Sequence, residues 1–156
     1  MSKKLKILTE SNPSIREKSK IVDLGEIKLT KFQDLIKDME LTMEKNDGVG
    51  LAAPQIGVNI RMVLVRSEDE ILCMINPEIT KKSWAKENGE EGCLSVPKTF
   101  GKVVRHKKIK CIFFDSKGSK RKIEAHGLFA RIIQHEIDLL DGILFIDTAT
   151  KIKYEK

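Results

Sequence analysis

Residues 127–142 read Gly127-Leu128-Phe129-Ala130-Arg131-Ile132-Ile133-Gln134-His135-Glu136-Ile137-Asp138-Leu139-Leu140-Asp141-Gly142. Leu128, Phe129, Ile132, Ile133, Ile137 and Leu140 recur at helical spacing and mark a broad apolar face, which predicts a helix over Gly127 to Leu140. Gly142 stands where a helix-ending glycine is expected. Around this helix the chain is mostly strand-like. Arg61 to Val65 is β-rich, and Ile71 to Ile75 follows after the polar turn Ser67-Glu68-Asp69-Glu70. Lys108 to Asp115 alternates Ile109, Cys111 and Phe113 with Lys110, Ile112 and Phe114. Ser116-Lys117-Gly118-Ser119 is a hairpin turn, with Lys120 to Ala125 as the returning strand. The expected class is α+β, with mixed, mostly antiparallel sheets packed around a central helix that carries the His-Glu pair.

A first helix is expected over Thr30 to Lys45. Phe32, Leu35, Ile36, Met39 and Met43 share one face of it, and Asn46-Asp47-Gly48 ends it. Pro13 and its polar surroundings read as an N-terminal loop. The chain has 156 residues, enough for one domain over 1–156. It is 40% hydrophobic and 33% charged, an ordinary composition for a soluble protein. No stretch approaches the roughly 18 apolar residues that cross a membrane. The opening Met1-Ser2-Lys3-Lys4-Leu5-Lys6 lacks an apolar signal core, so a cytoplasmic location is expected. Cys73, Cys93 and Cys111 make an odd count without disulfide spacing, which suits a reducing compartment.

The net charge is +6. Lysines crowd between Lys102 and Lys110 and between Lys117 and Lys122. They form either a solvated surface or a surface with loose affinity for an anionic partner such as ribosomal RNA. Aromatic residues do not interleave with these patches, so base stacking has no support here and no direct nucleic-acid readout is expected. Trp84 lies in a polar stretch and is expected to be partly exposed.

Three short segments carry chemistry. Gly48-Val49-Gly50-Leu51-Ala52-Ala53-Pro54-Gln55-Ile56-Gly57 is rich in small residues that let backbone approach closely. Its one polar side chain, Gln55, is a candidate donor to a substrate carbonyl. By itself the segment is a weak signal, and a tight loop beside a packed strand explains it better. Glu90-Glu91-Gly92-Cys93-Leu94-Ser95-Val96-Pro97 holds a cysteine that reads as core or as ligand. In the third segment, His135-Glu136 is half of the H-E-x-x-H arrangement, in which histidines at i and i+4 share a helix face and bind metal. Here the i+4 residue is Leu139.

Together and in order, these segments resemble the three signature motifs of peptide deformylases, G-x-G-L-A-A-x-Q, E-G-C-L-S and Q-H-E-x-D-H. The first two match completely, and the third matches except for its last histidine. The likeness runs from Ile7-Leu8 through Arg16 to the closing Gly142 to Asp147. It implies hydrolysis of the formyl group from the N-terminal methionine of new polypeptides, by a monomer working transiently near the ribosome. The implied cofactor is one divalent metal, iron(II) with zinc or nickel as substitutes, held by Cys93, His135 and a second histidine. Glu136 matches the general acid/base. Gln55 and the backbone N–H of Leu94 match the oxyanion donors. Val49, Leu128 and Ile132 match the walls of the methionine pocket. Gly50 and Gly92 would let a peptide run close to the backbone, and Glu91 matches a glutamate near the substrate. Arg105 and Asp138 match a supporting ion pair.

Leu139 has no lone pair and cannot bind metal, so three protein ligands fall to two. Asp138, at i+3, is the nearest substitute on the helix. Asp141 points away, and His106 and His126 read as surface residues. The sequence leaves three readings open. One is a working enzyme with a weakened or repaired centre. Another is a non-catalytic relative that binds N-terminal peptides. The third is a laboratory substitution that disables a normal enzyme.

Overall fold

The computed structural model describes residues 1–155; Lys156, the end of the basic tail, lies outside them. Eight strands and two α-helices form it: α1 (Thr30–Lys45), β1 (Gly50–Ala52), β2 (Met62–Arg66), β3 (Ile71–Lys82), β4 (Lys86–Cys93), β5 (Val96–His106), β6 (Lys108–Phe114), β7 (Lys120–His126), α2 (Gly127–Leu140) and β8 (Thr150–Tyr154). Five strands join in the order β1-β2-β3-β6-β7, and three in the order β4-β5-β8. Every strand pair is antiparallel. Among the described residues the one parallel contact is an isolated bridge between Lys20 and Ile60.

The period of two along the central strands explains the layering. Val63 and Val65 of β2, with Leu72 and Met74 of β3, enter one apolar cluster together with Ile132, Ile133, Leu139 and Leu140 of α2. Met62 and Leu64, with Cys73 and Ile75, enter the other together with Phe32, Ile36, Met39 and Met43 of α1. The two helices therefore cover opposite faces of the five-stranded sheet. Val96 and Val103 of β5 reach the α2 cluster from the far side. Helix α2 is thus held between both sheets, which is why its apolar face is so broad.

Both helices start and stop where their periodicity places them. Gly142 closes α2 with φ +76°, and a Cβ there would stand 2.2 Å from the carbonyl oxygen of Arg16. Only glycine accepts both the left-handed backbone and that approach. Cys73 and Cys111 are buried, as core packing requires.

Several expectations are corrected. The segment around Pro13 is a 3-10 turn, Pro13–Arg16, capped by the Asn12 side chain, and not an open loop. The tail forms strand β8 on β5. Strand β3 runs seven residues beyond Ile75. Trp84 is 96% exposed, because the β3–β4 connection holds it clear of every layer. Arg105 is buried. No helix among the described residues is long and apolar enough to cross a membrane.

Candidate active site

The residues that sequence reasoning singled out converge. Val49, Gly50, Gln55, Glu91, Gly92, Cys93, Leu94, Leu128, Ile132, His135 and Glu136 all line one cavity of about 590 Å3. Three elements build it. Strand β1 and the 3-10 turn after it, Ala53–Ile56, bring Gln55. The β4–β5 turn brings Cys93 and Leu94, and one face of α2 brings the His-Glu pair.

Gln55 is locked. Its Oε1 accepts the Ala52 N–H at 2.8 Å, and its Nε2 donates to Ser95 Oγ at 3.0 Å. The same Nε2 lies 3.6 Å from Cys93 Sγ, so its second hydrogen faces the cavity chemistry. His135 and Cys93 both line the cavity. Burial pushes the thiols of Cys73 and Cys111 up to about 12 and about 11, which leaves both inert.

His135 Nδ1 faces Glu91 Oε1 at 2.8 Å, so the other ring nitrogen is left for the cavity side. Burial disfavours the imidazolium, but hydrogen bonds with Cys93 and Glu91 outweigh it and raise the pKa of His135. Glu91 is fully engaged. It also accepts from Arg105 Nε and Nη2, each at 2.9 Å, and from Arg131 Nη1 at 2.6 Å. Burial opposes its charge, yet the hydrogen bonds from His135 and Arg105 hold its pKa at about 2. Both of its oxygens are spent on holding His135, Arg105 and Arg131, while the residue still borders the cavity. Asp138 is tied to the remaining side of Arg105.

Glu136 is 2% exposed, and its Oε2 has no hydrogen-bond partner. Burial pushes its pKa up to about 7, in the range useful for moving protons. Its stem fills the space that a Cβ at Gly50 would occupy, with atoms 2.9 Å away. The ring of Phe100 does the same at Gly92. The close approach at these glycines is therefore made by the protein's own side chains.

Cys93, His135 and Glu136, whose Oε2 has no partner, all line the cavity, but no third donor joins the cysteine and histidine. Leu139 is 0% exposed and packs in the core cluster. Asp138 is held by Arg105, and Asp141 pairs with Arg61 at 3.0 Å. Among the described residues, no group of three His, Cys, Asp or Glu side chains is placed to hold an ion. An open catalytic centre uses three protein ligands, and this chain's residues do not supply them.

Sequence reasoning missed Arg131. It sits one turn before His135 on the same face of α2, and its guanidinium lies flat against Gly89. Nη1 also donates to the Val103 carbonyl at 2.8 Å, and Nη2 to the Glu87 carbonyl at 2.8 Å. The available signal was a lone arginine inside an apolar helix face, four residues from the histidine.

A helical His-Glu pair meeting a strand cysteine and a buried amide, in an α+β fold wrapped by two sheets, defines the class of small metal-dependent amide hydrolases. The family's sequence profile, described as polypeptide deformylase, matches residues 4–155. The chain belongs to this family. It is 43% identical over 153 residues to the peptide deformylase of Symbiobacterium thermophilum, covering 96% of this chain and 68% of the relative. It is 43% identical over 152 residues to that of Natranaerobius thermophilus, covering 97% and 96%. Among solved structures, an actinonin-bound class I type b peptide deformylase from Acinetobacter baumannii superposes with a TM-score of 0.91 at 34% identity, covering 96% of this chain and all of that one. The peptide deformylase of Thermotoga maritima does so at 0.88 with 36% identity, covering 94% and 98%. The family is metal-dependent, and its function is removal of the formyl group from N-terminal methionine.

Proposed function

We propose that this chain takes the formylmethionyl N-terminus of nascent polypeptides into the cavity between β1, β4 and α2 and hydrolyses its formyl amide. The observation that carries this reading is the convergence of Gln55, Cys93, His135 and Glu136 on one apolar-walled cavity. Val49, Leu128 and Ile132 pack against the methionine side chain. The formyl oxygen accepts from the backbone N–H of Leu94 and from the Gln55 Nε2 hydrogen that otherwise rests against Cys93 Sγ. One such donor is worth about 3 kcal/mol of barrier. Glu136 takes a proton from water as the water oxygen bonds to the formyl carbon. It returns that proton to the peptide nitrogen as the C–N bond breaks, releasing formate and a free amine. Glu91, tied by Arg105 and Arg131, fixes the imidazole of His135.

In the family a divalent metal activates the attacking water. Iron(II), or zinc or nickel in its place, would find only Cys93 and His135 here. Turnover is expected to fall well below that of a three-ligand site. A second reading, binding without hydrolysis, is favoured by one observation: Leu139 is sealed in the core with no replacement donor nearby. We infer that it works transiently beside the ribosome, in the cytoplasm and as a monomer.

Formate release from a formyl-Met peptide, measured beside peptide binding, separates the two readings. Hydrolysis that drops roughly a hundredfold or more in Glu136→Gln, with binding retained, supports the first. Binding with no formate above the Glu136→Gln background leaves the second. Absence of both removes the assignment.

A further inference from the structure

The β3–β4 connection and the β5–β6 turn meet at one corner of the molecule. The Ser83 N–H donates to the Lys108 carbonyl at 2.9 Å, and the Lys107 N–H to the Ala85 carbonyl at 3.0 Å. The Lys108 N–H donates to Ser83 Oγ at 3.0 Å, Ser83 Oγ donates to the Ala85 carbonyl at 2.8 Å, and His106 Nδ1 lies 2.7 Å from the Ser83 carbonyl. Both neighbours of Trp84 are therefore pinned, while its indole stands 96% exposed. Apolar surface of that size normally finds cover. A fixed backbone under a bare ring is a preformed platform with little entropy left to lose on contact.

The charge around it has one sign. Lys81, Lys82 and Lys86 flank Trp84, and Lys107, Lys108 and Lys110 come from the facing turn and strand β6; all six are exposed. No acidic residue occurs between Lys81 and Lys86 or between His106 and Lys110. None of these lysines takes part in an ion pair among the described residues. The nearest acids along the paired strands are Glu87 beside Arg105 and Glu124 opposite Lys110. The lysine patch that seemed to lack an aromatic partner in the sequence thus acquires one in the fold.

We propose that this corner is a docking surface for single-stranded nucleic acid, with the Trp84 indole stacking on a base and the lysines meeting phosphates. The combination selects the partner. An acidic peptide would use the lysines and leave the indole idle. A membrane would want apolar depth, but Ser83 and Ala85 beside the indole provide none. A strand that exposes base faces next to phosphates uses both features, without reading sequence. The corner also adjoins the start of α2. The Gly127 N–H donates to the Lys107 carbonyl at 3.1 Å, and Leu128, the next residue, lines the peptide cavity. A strand docked here would lie next to whatever enters the cavity, but the surface stands independently of the reaction proposed above.

Trp84 is the only tryptophan in the chain, so intrinsic fluorescence reports on this corner alone. The full-length protein is titrated at low salt with oligouridine, oligothymidine, a duplex of equal length and vesicles of anionic lipid. Quenching by RNA alone or by both single strands, weaker quenching by the duplex, and affinity that falls steeply with salt support the proposal. Followed by anisotropy of a labelled oligonucleotide, Trp84→Ala should weaken binding roughly 5- to 150-fold. Trp84→Phe should retain most of the affinity. The pair Lys107→Glu and Lys108→Glu should abolish binding, while Lys120→Glu with Lys122→Glu on strand β7 should cost much less. Three outcomes overturn the proposal: no quenching by any strand, strand binding indifferent to Trp84→Ala, or blue-shifted emission and co-sedimentation with vesicles in the absence of strand binding.

Discussion

Replacing Leu139 by histidine should make the stability of this chain depend on metal. Leu139 is fully buried beside Ile133, Leu140, Leu144 and Phe145 in the α2 cluster. Putting an imidazole there forfeits apolar burial and places polar nitrogens in the core, at a cost of about 2–4 kcal/mol in metal-free protein. For a chain of this size that is a fall of roughly 5–15 °C in Tm. The same ring sits one helical turn after His135 and completes a three-donor set with Cys93. A third ligand is worth about 3 kcal/mol, near a hundredfold in affinity. At ion concentrations about a hundred times Kd, binding returns about 2.7 kcal/mol to the folded state. The sign of the effect should therefore reverse. With chelator the Leu139→His protein melts below the parent; with saturating zinc, nickel or cobalt it recovers most or all of the loss, while the parent moves little. Metal per chain after dialysis and formate release from a formyl-Met peptide should rise together in the variant. A parent that retains one ion per chain as tightly as Leu139→His would refute the reasoning, because the two donors would then suffice.

Three further changes test the scaffold around the cavity. Arg131→Met removes one of two arginines from the buried Glu91 and strips donors from the Val103 and Glu87 carbonyls, so denaturant unfolding should register a loss of about 3–5 kcal/mol. A loss below about 1 kcal/mol would mean that Arg105 alone satisfies Glu91. Gly142→Ala drives a Cβ into the Arg16 backbone at a left-handed position, so the protein should express poorly or melt far below the parent; an unchanged Tm would contradict the geometry. Asp147 accepts a bidentate hydrogen bond from Arg16, which holds its pKa below the ordinary carboxylate range, with a further contribution from the Leu144 N–H. Its folded pKa is depressed, so its stabilisation is present above the unfolded value and fades as pH falls through the acid range. Asp147→Asn should flatten that part of the stability-versus-pH curve. A slope identical to the parent's would remove Asp147 from the acid response.

Helices were legible because their burial follows from their own period. Phe32, Ile36, Met39 and Met43 mark α1 without help from the rest of the chain, and the α2 stripe does the same. Strands β6 and β7 were legible through alternation and a four-residue polar turn. Strand β4 was not, because Lys86-Glu87-Asn88-Gly89-Glu90-Glu91-Gly92-Cys93 has almost no apolar pattern. Only Glu91 in it is buried, and the strand exists through its ladder to β5. Strand β8 is exposed along its whole length and is likewise defined by its neighbour. Motifs placed the cavity residues in sequence, but a motif names residue types and not their partners. Glu91 borders the cavity, but its lone pairs go to Arg105, Arg131 and His135, and all three partners belong to other elements.

That allocation bears on what an incomplete centre can still do. In many metal sites the ion itself gathers its ligands, and without it they scatter. Here His135 is oriented by Glu91, Glu91 is anchored by the buried Arg105 and the partly buried Arg131, and Gln55 is fixed by Ala52 and Ser95, all without an ion. Leu139 strengthens the same helix by joining its core. The cavity is therefore organised by protein–protein contacts, and its shape should outlast loss of the metal. Recognition of a formylmethionyl end depends on that shape and on the Gln55 amide. Rapid water activation depends on the ion. The substitution at 139 uncouples the two, so peptide affinity should persist in chelator while formate release is limited by the proton transfers of Glu136 alone.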